Sequence, residues 1–142
     1  MRFWPSRKVP GDEPEHLITG RWGEDLGARH LQHLGMKILG KRVRVGKKDE
    51  IDVLARDGET LVFVEVKTRR SECFGRPITA VDRDKQYRLS RAALCYMNKL
   101  KHKPPYFRFD VIEVIGEPHN KYPEIRHIPN AFQLSKPFRV TW

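Results

Sequence analysis

Cysteine is scarce in this chain. Cys73 and Cys95 are the only two, and no C-x-x-C spacing occurs, which argues against a disulfide framework and against a cysteine zinc site. Long apolar runs are missing as well: nothing approaches the ~20 residues that span a bilayer. The start, Met1-Arg-Phe-Trp-Pro-Ser-Arg-Lys8, lacks the apolar stretch of a signal peptide. No internal repeat and no low-complexity segment is present. Acidic side chains are the minority, 18 against 28 Lys and Arg, for a formal charge of +10. That balance favours a polyanionic partner, either nucleic acid or an anionic membrane surface. No segment pairs a large apolar helical face with a basic one, so membrane attachment is the weaker option. The expectation is a soluble, cytoplasmic, single-domain protein whose 142 residues, 39% of them apolar, support a modest core.

What is present centres on Glu50-Ile-Asp-Val-Leu-Ala-Arg-Asp-Gly-Glu-Thr-Leu-Val-Phe-Val-Glu-Val-Lys67. Two apolar, β-branched runs flank Arg56-Asp57-Gly58-Glu59, which predicts a hairpin. Strand alternation puts Leu61, Phe63, Glu65 and Lys67 on one face and Val62, Val64 and Val66 on the other. The first run sets Glu50, Asp52 and Leu54 against Ile51, Val53 and Ala55. Closing the hairpin brings Asp52 to within one or two residue pairs of Glu65, with Lys67 just beyond. Two carboxylates can hold Mg²⁺ or Mn²⁺, and such an ion polarises a phosphoryl oxygen or activates a water. An ammonium beside them can answer developing negative charge. The plainer alternative is an ion pair on a strand end, since Glu-x-Lys is common in strands.

Around that hairpin the chain divides into an arm over residues 1–18, rich in proline and charge, and a folded domain over 19–142. A helix is expected from Thr19, its N-cap, to Gly35, its terminator. Its inward stripe is Gly27, Ala28, Leu31 and Leu34. One turn earlier the stripe reaches Glu24, either a third carboxylate aimed at the sheet or a boundary residue favoured by the helix dipole. His30 and His33 read as a solvated or boundary pair rather than metal ligands. Residues 36–45 form a first strand, an edge one with a basic face. After Lys67, an arginine-rich loop carries Arg69, Arg70 and Arg76, which would grip phosphates or simply face solvent. A second helix starts near Ala80 or Asp82 and ends at Leu100, with Lys85 on its packing stripe pointing at the sheet near Lys67. Lys85 would contact phosphate or snorkel to water. Residues 107–115 form a fourth strand, whose Asp110 is expected to pair with an arginine. A short strand over 124–128 follows, and the tail is expected to cover a sheet edge.

The spacing Asp52, twelve intervening residues, Glu65-Val66-Lys67 resembles the Asp…Glu-x-Lys core of the PD-(D/E)xK nucleases. Taken with Gly23-Glu24, Leu31…Gly35-x-x-Ile38-Leu39, Glu50-Ile-Asp52, Phe63-Val-Glu-Val-Lys67-Thr-Arg69, Ala80-Val81…Lys85, Ala92-Ala93 and Arg108-Phe-Asp-Val111, it resembles the YraN family over roughly residues 20–132. That family is largely uncharacterised and is similar to archaeal Holliday-junction resolvases. The resemblance implies a restriction-endonuclease-like α/β fold, a central mixed sheet of four to five strands flanked by helices. It implies a metal site from Glu24, Asp52 and Glu65, with Lys67 as the catalytic lysine. The expected activity is metal-dependent endonucleolytic cleavage of DNA, at branched or single-stranded structures, and junction resolution would need a homodimer. A catalytically silent nucleic-acid-binding scaffold is the competing expectation. One departure is Asp49, where the family usually has glycine.

Overall fold

A computed structural model describes residues 14–70 and 81–142. The elements run α1 (Glu15–His33), β1 (Lys37–Val45), β2 (Asp49–Asp57), β3 (Thr60–Arg69), α2 (Arg83–Asn98), β4 (Tyr106–Ile115) and β5 (Glu124–Phe132). The five strands form one sheet in sequence order. β3 and β4 pair in parallel, and every other neighbouring pair is antiparallel. This is a mixed α/β domain, in agreement with the restriction-endonuclease-like architecture expected. β1 is an edge strand, as its basic alternation suggested.

The helices cover opposite faces. Leu89, Ala92, Ala93 and Met97 of α2 pack on Leu54, Leu61, Phe63 and Phe109. Ala28 and Leu31 of α1 pack on Val53, Ala55, Val62, Val64, Ile112 and Val114. Fully buried strands with apolar residues on both faces are what a helix on each side requires. Ile51 departs from the expected alternation: it belongs with Leu54 and Phe63 on the α2 side. The neighbouring β1 shifts register between Ile38 and Gly40, and its Arg42, between the Lys41↔Val53 and Val43↔Ile51 pairs, adopts a positive φ of 49°.

α1 begins at Glu15, not at Thr19, and Pro14 precedes it without a side-chain cap. Proline suits that boundary because the first helical N–H groups lack intrahelical acceptors anyway. Four residues assigned to the arm are thus helical; the rest of the arm, residues 1–13, lies outside the described residues. The helix ends as expected: Gly35, at φ +91°, lets its own N–H reach Gln32 and the Met36 N–H reach Leu31, a left-handed C-terminal cap. α2 starts at Asp82, whose Oδ1 accepts the Lys85 N–H at 2.8 Å. β5 is longer than expected and absorbs Asn130, Ala131 and Phe132. The tail beyond it lies on α2 rather than along a sheet edge. Ser135 N–H donates to Ser90 Oγ at 2.9 Å, and Phe138 packs on Tyr87 at 4.8 Å. No helix of the described residues is long and apolar enough to cross a membrane.

Candidate active site

The site is made by a fork in the sheet. β2 and β3 pair from Asp57↔Thr60 only as far as Val53↔Val64. Beyond that point β2 stays with β1 through Val45↔Asp49, and β3 stays with β4 through Arg69↔Ile115. Backbone groups facing the fork lose their ladder partners and need others. Asp52 supplies one, its Oδ2 accepting the Val66 N–H at 2.9 Å. The hairpin register, extended one step, sets Asp52 opposite Glu65, as the spacing predicted.

The two carboxylates crowd each other. Burial first, and then the negative charge of Glu65, push the Asp52 carboxyl up to about 7, against the stabilising Val66 N–H and the charge of Lys85. Glu65 is buried, and among the described residues its Oε2 has no hydrogen-bond partner other than the proton that a protonated Asp52 carboxyl shares with Glu65. Its other oxygen lies 3.2 Å from Lys85 Nζ, so Lys85 does point at the sheet. Lys67 follows on the same face of β3 and makes no hydrogen bond or ion pair with a described residue. Beside the pair a cleft of about 230 Å³ is lined by Lys48, Asp49, Glu50, Asp52, Lys85, Arg88 and Leu89.

Glu24 approaches from the α1 side. Close packing brings it there: a Cβ at Gly23 would lie 2.0 Å from Thr68 Oγ1, and one at Gly27 3.3 Å from Val66 Cγ2. Burial, with the charges of Asp52 and Glu50, raises the Glu24 carboxyl despite the Arg42 hydrogen bond. That bond, 2.6 Å from Arg42 Nη1 to Glu24 Oε2, is its direct contact. Glu24 is therefore electrostatically part of the site but is held by Arg42. Among the described residues no three His, Cys, Asp or Glu are gathered to cage a metal ion. A divalent ion that keeps its waters needs only one or two carboxylates, and two carboxyls crowded together, each raising the cost of the other's charge, fit a cation that would neutralise both.

The arginines divide. Arg69 Nε lies 3.8 Å from Glu113 Oε2. Arg70 is paired with Glu15 at 2.9 Å and Glu117 at 3.3 Å, on the rim of a separate cleft of about 540 Å³ that also includes Glu24, Val66 and Thr68. Arg76 lies outside the described residues. Sequence reasoning missed Glu113, a buried carboxylate registered beside Lys67 across the parallel β3–β4 pair. Glutamate inside an apolar strand was the available signal; its neighbour required the strand order. It also missed Arg42, and the role of Asp49, whose carboxylate takes two 2.8 Å hydrogen bonds from Arg91. That pairing holds Asp49 below the usual carboxylate range and pins the β2 entry to α2. Asp110 is the structural residue expected, engaged by Arg108 at 3.0 Å, His127 at 2.8 Å and the Asn130 N–H at 2.9 Å. His30 packs edge-on against His127 at 5.3 Å.

A model of an uncharacterised protein family, UPF0102, matches residues 23–114. A UPF0102 protein of Geotalea daltonii is 45% identical over 121 residues, covering 85% of this chain and 94% of its own. One from Geobacter sulfurreducens is 44% identical over 130 residues, covering 89% and 99%. Another, from Symbiobacterium thermophilum, is 45% identical over 114 residues, covering 80% and 95%. The chain belongs to the UPF0102 family.

Proposed function

We propose that this protein is a Mg²⁺- or Mn²⁺-dependent endonuclease acting on DNA, with branched or single-stranded structures as its substrate class. The observation that carries the reading is the crowded Asp52–Glu65 pair at the sheet fork, Asp52 half-buried and Glu65 buried, with one Glu65 oxygen unpartnered among the described residues and lysines on either side. A structural ion pair at a strand end has no need of a second, crowded carboxylate, which costs stability.

In this reading Asp52 and Glu65 hold the ion, and Glu24 adds negative potential from the α1 side. The bound ion would polarise the scissile phosphate and lower the pKa of its water. Lys67 meets the charge developing on the phosphoryl oxygens. Lys48, Lys85 and Arg88 hold a phosphate in the adjoining cleft, while Arg69, at the end of β3, engages the nucleic acid further out. Arg70 serves less well, because Glu15 and Glu117 already occupy its guanidinium.

The test is cleavage of a panel of labelled DNAs (four-way junction, flap, single strand and duplex) with Mg²⁺ or Mn²⁺. Wild type should cut at least one substrate, and Asp52→Ala and Glu65→Ala should lose cutting by 10²-fold or more while remaining folded. Equal cutting by these variants would sink the assignment. A second reading, a silent nucleic-acid-binding scaffold, draws support from the +10 charge and from Arg42 and Lys85 already answering Glu24 and Glu65. Salt-sensitive DNA binding without any cutting would favour it.

A further inference from the structure

We infer that Lys85 is a built-in counter-ion that competes with the divalent cation for Glu65, coupling cation entry to phosphate binding. The inference rests on the metal-dependent reading above.

The geometry is specific to this side chain. Lys85 sits in the first turn of α2, where the Asp82 cap fixes its backbone at 2.8 Å. Its ammonium crosses to the sheet and lies 3.2 Å from Glu65 Oε1, with the Glu65 side chain only 7% exposed and that of Lys85 34% exposed. An ammonium and a divalent ion cannot both neutralise one buried carboxylate without repelling each other. Lys67, although on the same strand as Glu65, has no such contact, so the competitor is the helix lysine.

The displaced ammonium has a destination. Lys85 already lines the adjoining cleft with Lys48 and Arg88, where Asp49, Glu50 and Asp52 also face, so its flexible four-carbon stem borders both Glu65 and a phosphate held by these cations. A phosphate in that cleft would draw Lys85 away from Glu65 and free the carboxylate for the cation. Linkage then requires the reverse: a bound cation must strengthen phosphate binding by the same factor.

Full-length wild type, Lys85→Met, Lys85→Arg and Glu65→Gln would be titrated with Mn²⁺ by calorimetry, with and without a short single-stranded oligonucleotide. Lys85→Met should bind Mn²⁺ about tenfold more tightly than wild type. Lys85→Arg, which keeps the competing charge, should stay near wild type, and Glu65→Gln should lose the site. The oligonucleotide should tighten Mn²⁺ binding to wild type several-fold and leave Lys85→Met unchanged. Equal or weaker Mn²⁺ binding by Lys85→Met, with Glu65→Gln still defective, would overturn the inference and leave the metal site standing. Absence of Mn²⁺ binding in every protein would overturn both.

Discussion

Asp52 is the residue at which function and stability pull in opposite directions. Its carboxyl ordinarily titrates at 3.8 and is raised to about 7 in the fold. Between those values the folded protein holds a proton that the unfolded chain has released. The associated stability is therefore fully present below the ordinary value and is lost as pH rises through about 7. Three units correspond to at most about 4 kcal/mol. In EDTA, Asp52→Asn should melt higher than wild type at pH 8, with the gap closing towards pH 5, while on the proposed reading it should lose metal-dependent cleavage. A variant that melts lower than wild type at pH 8 would refute this crowding. Asp110 has the opposite sign. Burial alone would raise its carboxyl, but the hydrogen bonds from His127, the Asn130 N–H and Arg108 outweigh burial and lower it. Its contribution is present above the ordinary carboxylate value and is lost as pH falls through the depressed one. Asp110→Asn should cost about 3 kcal/mol at pH 7 and progressively less in acid, read from urea melts across pH. Equal destabilisation at pH 3 and pH 7 would refute the charge-based account.

At the scale of elements, the seating of α1 on β3 sets the position of Glu24. A Cβ at Gly23 would meet Thr68 Oγ1 at 2.0 Å and Thr68 Cβ at 3.2 Å, whereas one at Gly20 meets nothing within 4 Å. Thr68 is β-branched and fixed in a strand, so it yields poorly. Gly23→Ala should destabilise by about 1–3 kcal/mol and reduce cleavage by displacing Glu24. Gly20→Ala, in the same helix, should be neutral or stabilise by up to about 1 kcal/mol. Equal melting temperatures for the two variants would contradict the packing described. These elements also show what was legible in advance. The hairpin, the Gly35 stop and the Asp52–Glu65 juxtaposition follow from alternation and turn chemistry, which are local. The helix start was misread because Thr19 is a good cap residue by type, while Pro14 acts through backbone geometry alone. Ile51 was misassigned because alternation assumes a regular ladder, and β1 beside it is irregular, with a register shift between Ile38 and Gly40 and a positive φ at Arg42. Lys85 was legible because it shares a stripe with Leu89. Glu113 and the Arg91–Asp49 pair were not, because each depends on which elements the fold makes adjacent. Asp49 in particular forms a cross-element tie to Arg91.

For the whole molecule, on the proposed reading, the +10 charge and the acidic site should act on DNA in opposite senses, which would separate binding from chemistry. Basic residues that neutralise phosphates release counterions, so affinity should fall steeply and log-linearly with salt. The carboxylates at the fork contribute repulsion in the absence of a divalent ion. Without added metal, Asp52→Asn and Glu65→Gln should therefore bind a four-way junction as tightly as wild type or more so, with the same salt slope, while failing to cut it. Arg88→Ala removes one phosphate contact, should weaken binding to every substrate alike, and should lower the slope by about one. Fluorescence anisotropy across salt concentrations measures all of these together. If Arg88→Ala left both affinity and slope unchanged, the cleft beside Asp52 would not be a phosphate site. If the carboxylate variants lost DNA affinity in EDTA, the acidic pair would be supporting the DNA-binding surface itself and would not be opposing it until a cation arrives.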